Sequence, residues 1–348
     1  MNTGGFLKRM TVGCEFASLL NLFRVLTLLL LLLFLPKDVS STEKTLSSQP
    51  PKIETSSRCG KIADHFFIIG QYLYWQANLS GLELSFGSSS LVEGTTNGIS
   101  FTDSKEFNID PAFDWTSGLR LGCGGHFPNS NWSLSAFWTQ FKDKGRRSIK
   151  AGNGITNKGS CKVSLEQIDA IVAYASTWTS VTLEPFIGVR AVQINHSVNS
   201  QVTTTIVILP DTMVMGVMNF DDHQCFKGIG PALGLDVLWM VAGGFGLYGE
   251  GAFNVLYGNY KITCNDSDSF SSPLSSQSSS LIDQHLHRFN TNIDLALGIF
   301  WRRCIYDKTA ITLSLGYEFH EYYNLSNLSA NKGDLSFNGA VASFEIAF

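Results

Sequence analysis

Charge is scarce in this chain. Lys, Arg, Asp and Glu make up 16 % of its 348 residues, against about 25 % in an average soluble domain. The net charge is −4, which excludes the basic footprint of a nucleic-acid partner. Long apolar runs are equally few. The run VLTLLLLLLFL at residues 25–35 is short for a helix that crosses a bilayer, and no other stretch has a helical period of any length. Cysteines at C-x-x-C spacing are missing, so zinc and thioredoxin-type sites lack their signature. No G-x-S-x-G occurs and no Ser/His pair marks a nucleophile, so no enzyme is expected, and no cofactor or metal.

What is plentiful is aromatic and small. Aromatics reach 12 %, with 25 Phe, and Gly reaches 32. Lys8, Arg9 and Arg24 precede the apolar run, the layout of a secretory signal, expected over residues 1–41. A membrane anchor extended back through residues 16–23 would have to enclose Arg24. Residues 42–64, rich in Ser, Pro and charge, read as a flexible linker, and residues 65–348 as the folded unit. Beyond the signal lie Cys59, Cys123, Cys161, Cys225, Cys264 and Cys304. An exported chain can join an even set into disulfides, within one chain or between chains.

From residue 65 onward the chain alternates with a period of two. In 292–302 Ile293, Leu295, Leu297, Ile299 and Trp301 oppose Asn292, Asp294, Ala296, Gly298, Phe300 and Arg302. In 311–321 Ile311, Leu313, Leu315, Tyr317 and Phe319 oppose Thr312, Ser314, Gly316, Glu318 and His320. The last ten residues, GAVASFEIAF, alternate in the same way. The runs exceed the ~5–6 residues of a soluble strand, and Trp and Tyr cluster at their ends, where interfacial girdles belong. A sheet with one face in lipid must close on itself. The expected fold is all-β: a closed antiparallel transmembrane barrel of 10–12 strands in a bacterial outer membrane. Its strands fall near 65–87, 113–127, 131–141, 163–176, 179–195, 226–240, 244–261, 287–303, 309–323 and 334–348. Short links alternate with long ones at 88–112, 142–162, 196–225, 262–286 and 324–333, the asymmetry of periplasmic turns and external loops. The hairpin pattern around Pro210 and Asp211 decides between ten strands and twelve.

The register turns Arg120, Glu184, Arg190, Asp236, Glu250, Asp294, Arg302, Glu318 and Glu345 inward. Ions inside a narrow barrel must pair or meet water. They either pair into a plug or line a water path whose acidic excess favours cations. The 142–162 link carries Lys144, Arg146, Arg147 and Lys150, a basic loop that stays solvated, narrows the pore or meets the phosphates of lipopolysaccharide. Gly244-x-Gly246-x-x-Gly249 matches a dinucleotide fingerprint, but a strand pattern follows it where that motif needs a helix. His285-x-His287 lacks a further metal ligand at diagnostic spacing.

The stretches GQYLYWQANLSGLELSF (70–86), FDWTSGLRLGCGGHF (113–127), PFIGVRAVQIN (185–195), IGPALGLDVLW (229–239) and GEGAFNVLYGNY (249–260) resemble, as an ordered set, the Legionella and chlamydia-like major outer membrane protein family. That resemblance implies an abundant pore-forming barrel. It implies a porin passing small hydrophilic solutes, with outer-membrane lipid and lipopolysaccharide as surroundings. It also implies homo-oligomers or disulfide cross-links to other envelope proteins, which the six cysteines could serve. The second reading is a structural or adhesive envelope barrel with a plugged lumen. The long signal region and the Ser-rich stretch at 267–280 depart from the family pattern.

Overall fold

The computed structural model describes residues 66–80, 84–86, 107–109, 113–151, 155–209, 212–270, 277–306, 309–326 and 333–348. The segments expected as signal and linker, with Cys59, lie outside them.

Ten strands form the wall: β1 Phe66–Leu79, β2 Thr116–His126, β3 Trp132–Ala151, β4 Ile155–Tyr174, β5 Val181–Leu209, β6 Thr212–Ala242, β7 Phe245–Phe270, β8 Gln277–Tyr306, β9 Thr309–Ser326 and β10 Gly333–Ala347. Each pairs antiparallel with the next, and β10 returns to β1. At that seam Phe66 and Phe348 exchange backbone hydrogen bonds of 3.0 and 2.9 Å. The barrel is closed, so no edge is left for lipid to face. A short hairpin pairs Leu84–Phe86 with Phe107–Ile109.

Tight turns lie at one end. Gly243 and Gly244 join β6 to β7 with φ of 61° and 85°, the left-handed pair that a two-residue hairpin demands. Gly246 and Gly249 already belong to β7, so the glycine fingerprint is a turn running into a strand.

The outer face is apolar between two aromatic rims. Near the turns stand Phe66 beside Phe348, Trp132 beside Tyr174, and Phe245 beside Trp301. At the far rim Tyr74 stacks on Trp115 at 5.5 Å and Tyr257 meets Phe289 at 5.0 Å. Between them Leu297 is 70 % exposed and Leu315 56 %, exposure that suits lipid and not water.

The strand count is ten, and the segment around Pro210 adds none. The supposed long loops at 142–162, 196–225 and 262–286 are instead largely ladder. Thr205 pairs Met215 and Ile206 pairs Val214 as the β5–β6 ladder runs on. Lys144 pairs Lys162 in β3–β4, and Cys264 pairs Ile282 in β7–β8. These segments keep a two-residue alternation, and each strand has a paired neighbour to extend along. At 31 residues, β6 is on the order of 100 Å long, several times what a membrane crossing needs. The basic stretch is therefore strand. Lys144 and Arg146 are exposed on the outer face of β3, and Arg147 and Lys150 continue the same ladder.

Of the cysteines named as disulfide candidates, Cys304 is disulfide-bonded. Cys123, Cys161, Cys225 and Cys264 carry thiols outside any disulfide. Alternation sets Cys123 on the outer face of β2 and Cys161 on the inner face of β4, so the wall itself separates them.

Candidate functional site

The interior is filled at mid-height, and charge does part of the filling. Arg120 from β2 crosses to Glu318 of β9 through two bonds, 2.9 Å and 3.1 Å, and also donates to Gln71 and Thr139. His320, two residues along the same face of β9, touches Glu318 Oε2 at 3.1 Å and Asp294 Oδ1 at 2.7 Å. Both ring nitrogens donate to carboxylates, which only an imidazolium can do. Asp294 of β8 takes a bond from Arg190 of β5, which also donates to Asn292 and to Asp169 of β4. Asn254 of β7 donates to Asn292 and Asp294. Three cations and three carboxylates thus run from one side of the barrel to the other. Buried ions are tolerable only when paired in this way.

An apolar layer lies next to this chain, toward the far rim. Trp75, Phe141, Phe226, Tyr260, Tyr322 and Phe337 are each at most 1 % exposed. Trp75 sits 4.8 Å from the His320 ring and 5.6 Å from Phe141, and Phe141 meets Phe337 edge-on at 5.5 Å. The Arg120 guanidinium lies 5.5 Å over the Trp75 ring. The Tyr322 hydroxyl donates to Gln167 at 2.7 Å, tying the two layers together. Leu73, Leu165, Ile194 and Leu256 close the gaps.

On the turn side the lumen is more open. Glu184 pairs in register with Asp236, and Asp236 with Glu250. Glu250 is exposed although it stands at an inward position. Arg302 approaches Glu345 at 3.7 Å. Of the nine inward charges named from sequence, Arg120, Arg190, Asp294 and Glu318 form the buried chain. Arg302 pairs with Glu345, and Glu184, Asp236 and Glu250 line the vestibule. Sequence reasoning missed Asp169, Gln167 and Asn254, and placed Asn292 opposite the apolar face without giving it a role. It placed His320 inward without giving it a role. The signal was available for Gln167 and Asp169, which share the alternating face of Val163 and Leu165.

Beyond the apolar layer, Cys161 Sγ lies 3.1 Å from His196 Nε2. Burial, aided by Asp143, pushes the thiol up to about 12. Burial, aided by His223, drops the imidazole to about 3. Both are neutral, so the contact is a weak hydrogen bond and not an activated nucleophile. Among the described residues no group of three His, Cys, Asp or Glu could hold a metal ion. His285 lies 3.7 Å from Asp283, and His287 faces Tyr257.

A family model described as Legionella pneumophila major outer membrane protein precursor matches residues 61–346. A comparison with curated proteins found no match. Among solved structures, the chain is similar to the outer membrane protease OmpT of Escherichia coli, at 8 % identity over 82 % of this chain and 97 % of that one, with a TM-score of 0.40. It is similar to the toluene transporter TodX of Pseudomonas putida, at 6 % identity over 83 % and 91 %, with a TM-score of 0.30. It is also similar to the attachment invasion locus protein Ail of Yersinia pestis, at 14 % identity over 81 % and 99 %, with a TM-score of 0.20.

Proposed function

The chain belongs to the family of the Legionella pneumophila major outer membrane protein, and we propose that it is a sealed member: an outer-membrane barrel that serves the envelope as a scaffold, with a lumen that does not conduct. One observation carries this reading. Arg120, Glu318, His320, Asp294, Arg190 and Asp169 span the interior, and large aromatics with no exposed surface lie against them. Small barrels of ~8 strands are filled by their own side chains, whereas open porins have ~16–18. At ten strands, side chains of this size suffice to seal the bore. No catalytic step belongs to this reading.

The exposed Glu250 and the vestibule around it favour a second reading, in which small hydrophilic solutes pass when the ionic chain opens. Planar-bilayer recording of the refolded barrel separates the two. A silent membrane, with the heat-shifted gel band of a folded barrel, is the expected result. Discrete conductance steps would overturn the sealed reading in favour of a porin.

A further inference from the structure

The outer wall carries a second feature, independent of whether the lumen conducts. Following the ladder around the wall, Trp138, Ile168, Ala191 and Ile229 pair in one outward row. The next outward row is Gln140, Glu166, Gln193 and Lys227; the next holds Lys142, Ser164 and Asn195; the one after holds Lys144, Lys162, Ser197 and His223. Each row lies about 6.6 Å further along the strands. Lys142 therefore sits about 13 Å, and Lys144 and Lys162 about 20 Å, along the strands from the apolar row, on the side where lipid headgroups lie.

A depression of about 540 Å³ is lined by Lys142, Lys144 and Lys162, together with Ser164, Asn195, Ser197 and His223. Its acidic neighbours are Asp114 and Asp143. Asp143 is buried and already accepts from Thr116 and from the backbone N–H of Ala77 and Lys144. Lys144 and Lys162 are direct cross-strand partners, a like-charge pairing that costs stability unless an anion intervenes. Arg146, then burial, then Lys162 hold the Lys144 ammonium below its ordinary value. Among the described residues, Lys142, Lys144, Arg146 and Lys162 form no ion pair.

We infer that this depression on the β3–β4–β5 face holds a phosphorylated saccharide headgroup of an outer-leaflet glycolipid. The phosphate sits between Lys144 and Lys162, and the acyl chains lie along the Trp138–Ile168 row. Lysines serve as point charges for phosphate, and basic pockets at the membrane surface bind lipid headgroups. Ser164, Asn195 and Ser197 supply hydrogen bonds for sugar hydroxyls. A free anion would use the charge but not the apolar row that lies three rows, about 20 Å, along the same face, which is why a lipid long enough to reach both is the occupant.

The test measures binding of diphosphorylated lipid A to the full mature protein in detergent micelles. The same lipid stripped of phosphate serves as a second probe, and inorganic phosphate as a competitor. The double variant Lys144→Gln/Lys162→Gln should bind lipid A roughly tenfold or more weakly, with Lys227→Gln unchanged. Dephosphorylated lipid should bind as weakly to the parent as lipid A does to the double variant. Equal affinity of parent and double variant, or equal affinity for both lipids, overturns the inference. Displacement by inorganic phosphate alone overturns it in favour of a free-anion site. Should the double variant lose its folded gel band, lipid A binding to the parent is titrated with salt, and a flat profile is the overturning result.

Discussion

Arg190 is the member of the buried chain whose loss has the most informative consequence. It is 6 % exposed and donates to Asp169, Asn292 and Asp294. Arg190→Met keeps much of the stem and removes the charge. The two carboxylates do not suffer equally. Asp294 still has His320 at 2.7 Å and Asn254 at 3.1 Å. Among the described residues Asp169 keeps only the Gln167 amide, at 2.7 Å. Breaking a buried pair by removing one partner costs about 3–5 kcal/mol, or two to three and a half orders of magnitude in the folding equilibrium, and most of that should come from stranding Asp169. Adding Asp169→Asn to Arg190→Met should therefore recover the larger share, and adding Asp294→Asn the smaller. Urea unfolding in detergent micelles, followed by tryptophan fluorescence, reads all four proteins. The reasoning fails if Arg190→Met unfolds within ~0.5 kcal/mol of the parent, or if Asp294→Asn rescues better than Asp169→Asn.

Replacing Trp75 and Phe337 together by Ala removes two of the six buried aromatics of the apolar layer and should turn a silent bilayer into one with discrete conductance steps; continued silence would show that the ionic chain and the remaining aromatics seal the bore without them. A Cβ on Gly316 would overlap the Tyr248 hydroxyl and the Leu297 carbonyl, so Gly316→Val should cost roughly 1–3 kcal/mol, and an unchanged urea midpoint would refute that packing. His196 is held neutral to about pH 3, whereas an unfolded histidine protonates near 6.5. Its contribution is therefore complete above pH 6.5 and fades as pH falls toward 3, by roughly 2–3 kcal/mol at pH 4.5. Hydrogen exchange of the outer β4–β5 ladder should quicken over that window, and His196→Gln should flatten the response if the imidazole is responsible.

Much of the wall was readable from residue order because alternation is a local property. Ile293, Leu295, Leu297 and Ile299 declare their face without reference to any other strand, and the family resemblance and the outer-membrane location followed from the same stretches. Strand length was less readable. The Lys-, Arg- and Gly-rich run after Phe141 looks like solvated loop, because its outward positions face water and not lipid. Only its inward set, Phe141, Asp143 and Gly145, continues the pattern. The buried chain was half visible. Alternation turned Arg190 and Asp294 inward, but their meeting depends on the registers of β5 through β8 combined, a sum of offsets that no single strand reports. Which cysteines could pair was hidden for a related reason, since parity separates Cys123 from Cys161 across the wall.

The pairing of Phe67 with Ala347 has a bearing on biogenesis. The partner of the earliest strand is the last to be synthesised, so this edge cannot be satisfied co-translationally. Until the final hairpin docks, both flanks of the sheet expose unbonded amides and carbonyls, and a nascent polypeptide in transit must be shielded at two places at once. Whatever escorts the unfinished sheet must therefore cover both edges until they meet.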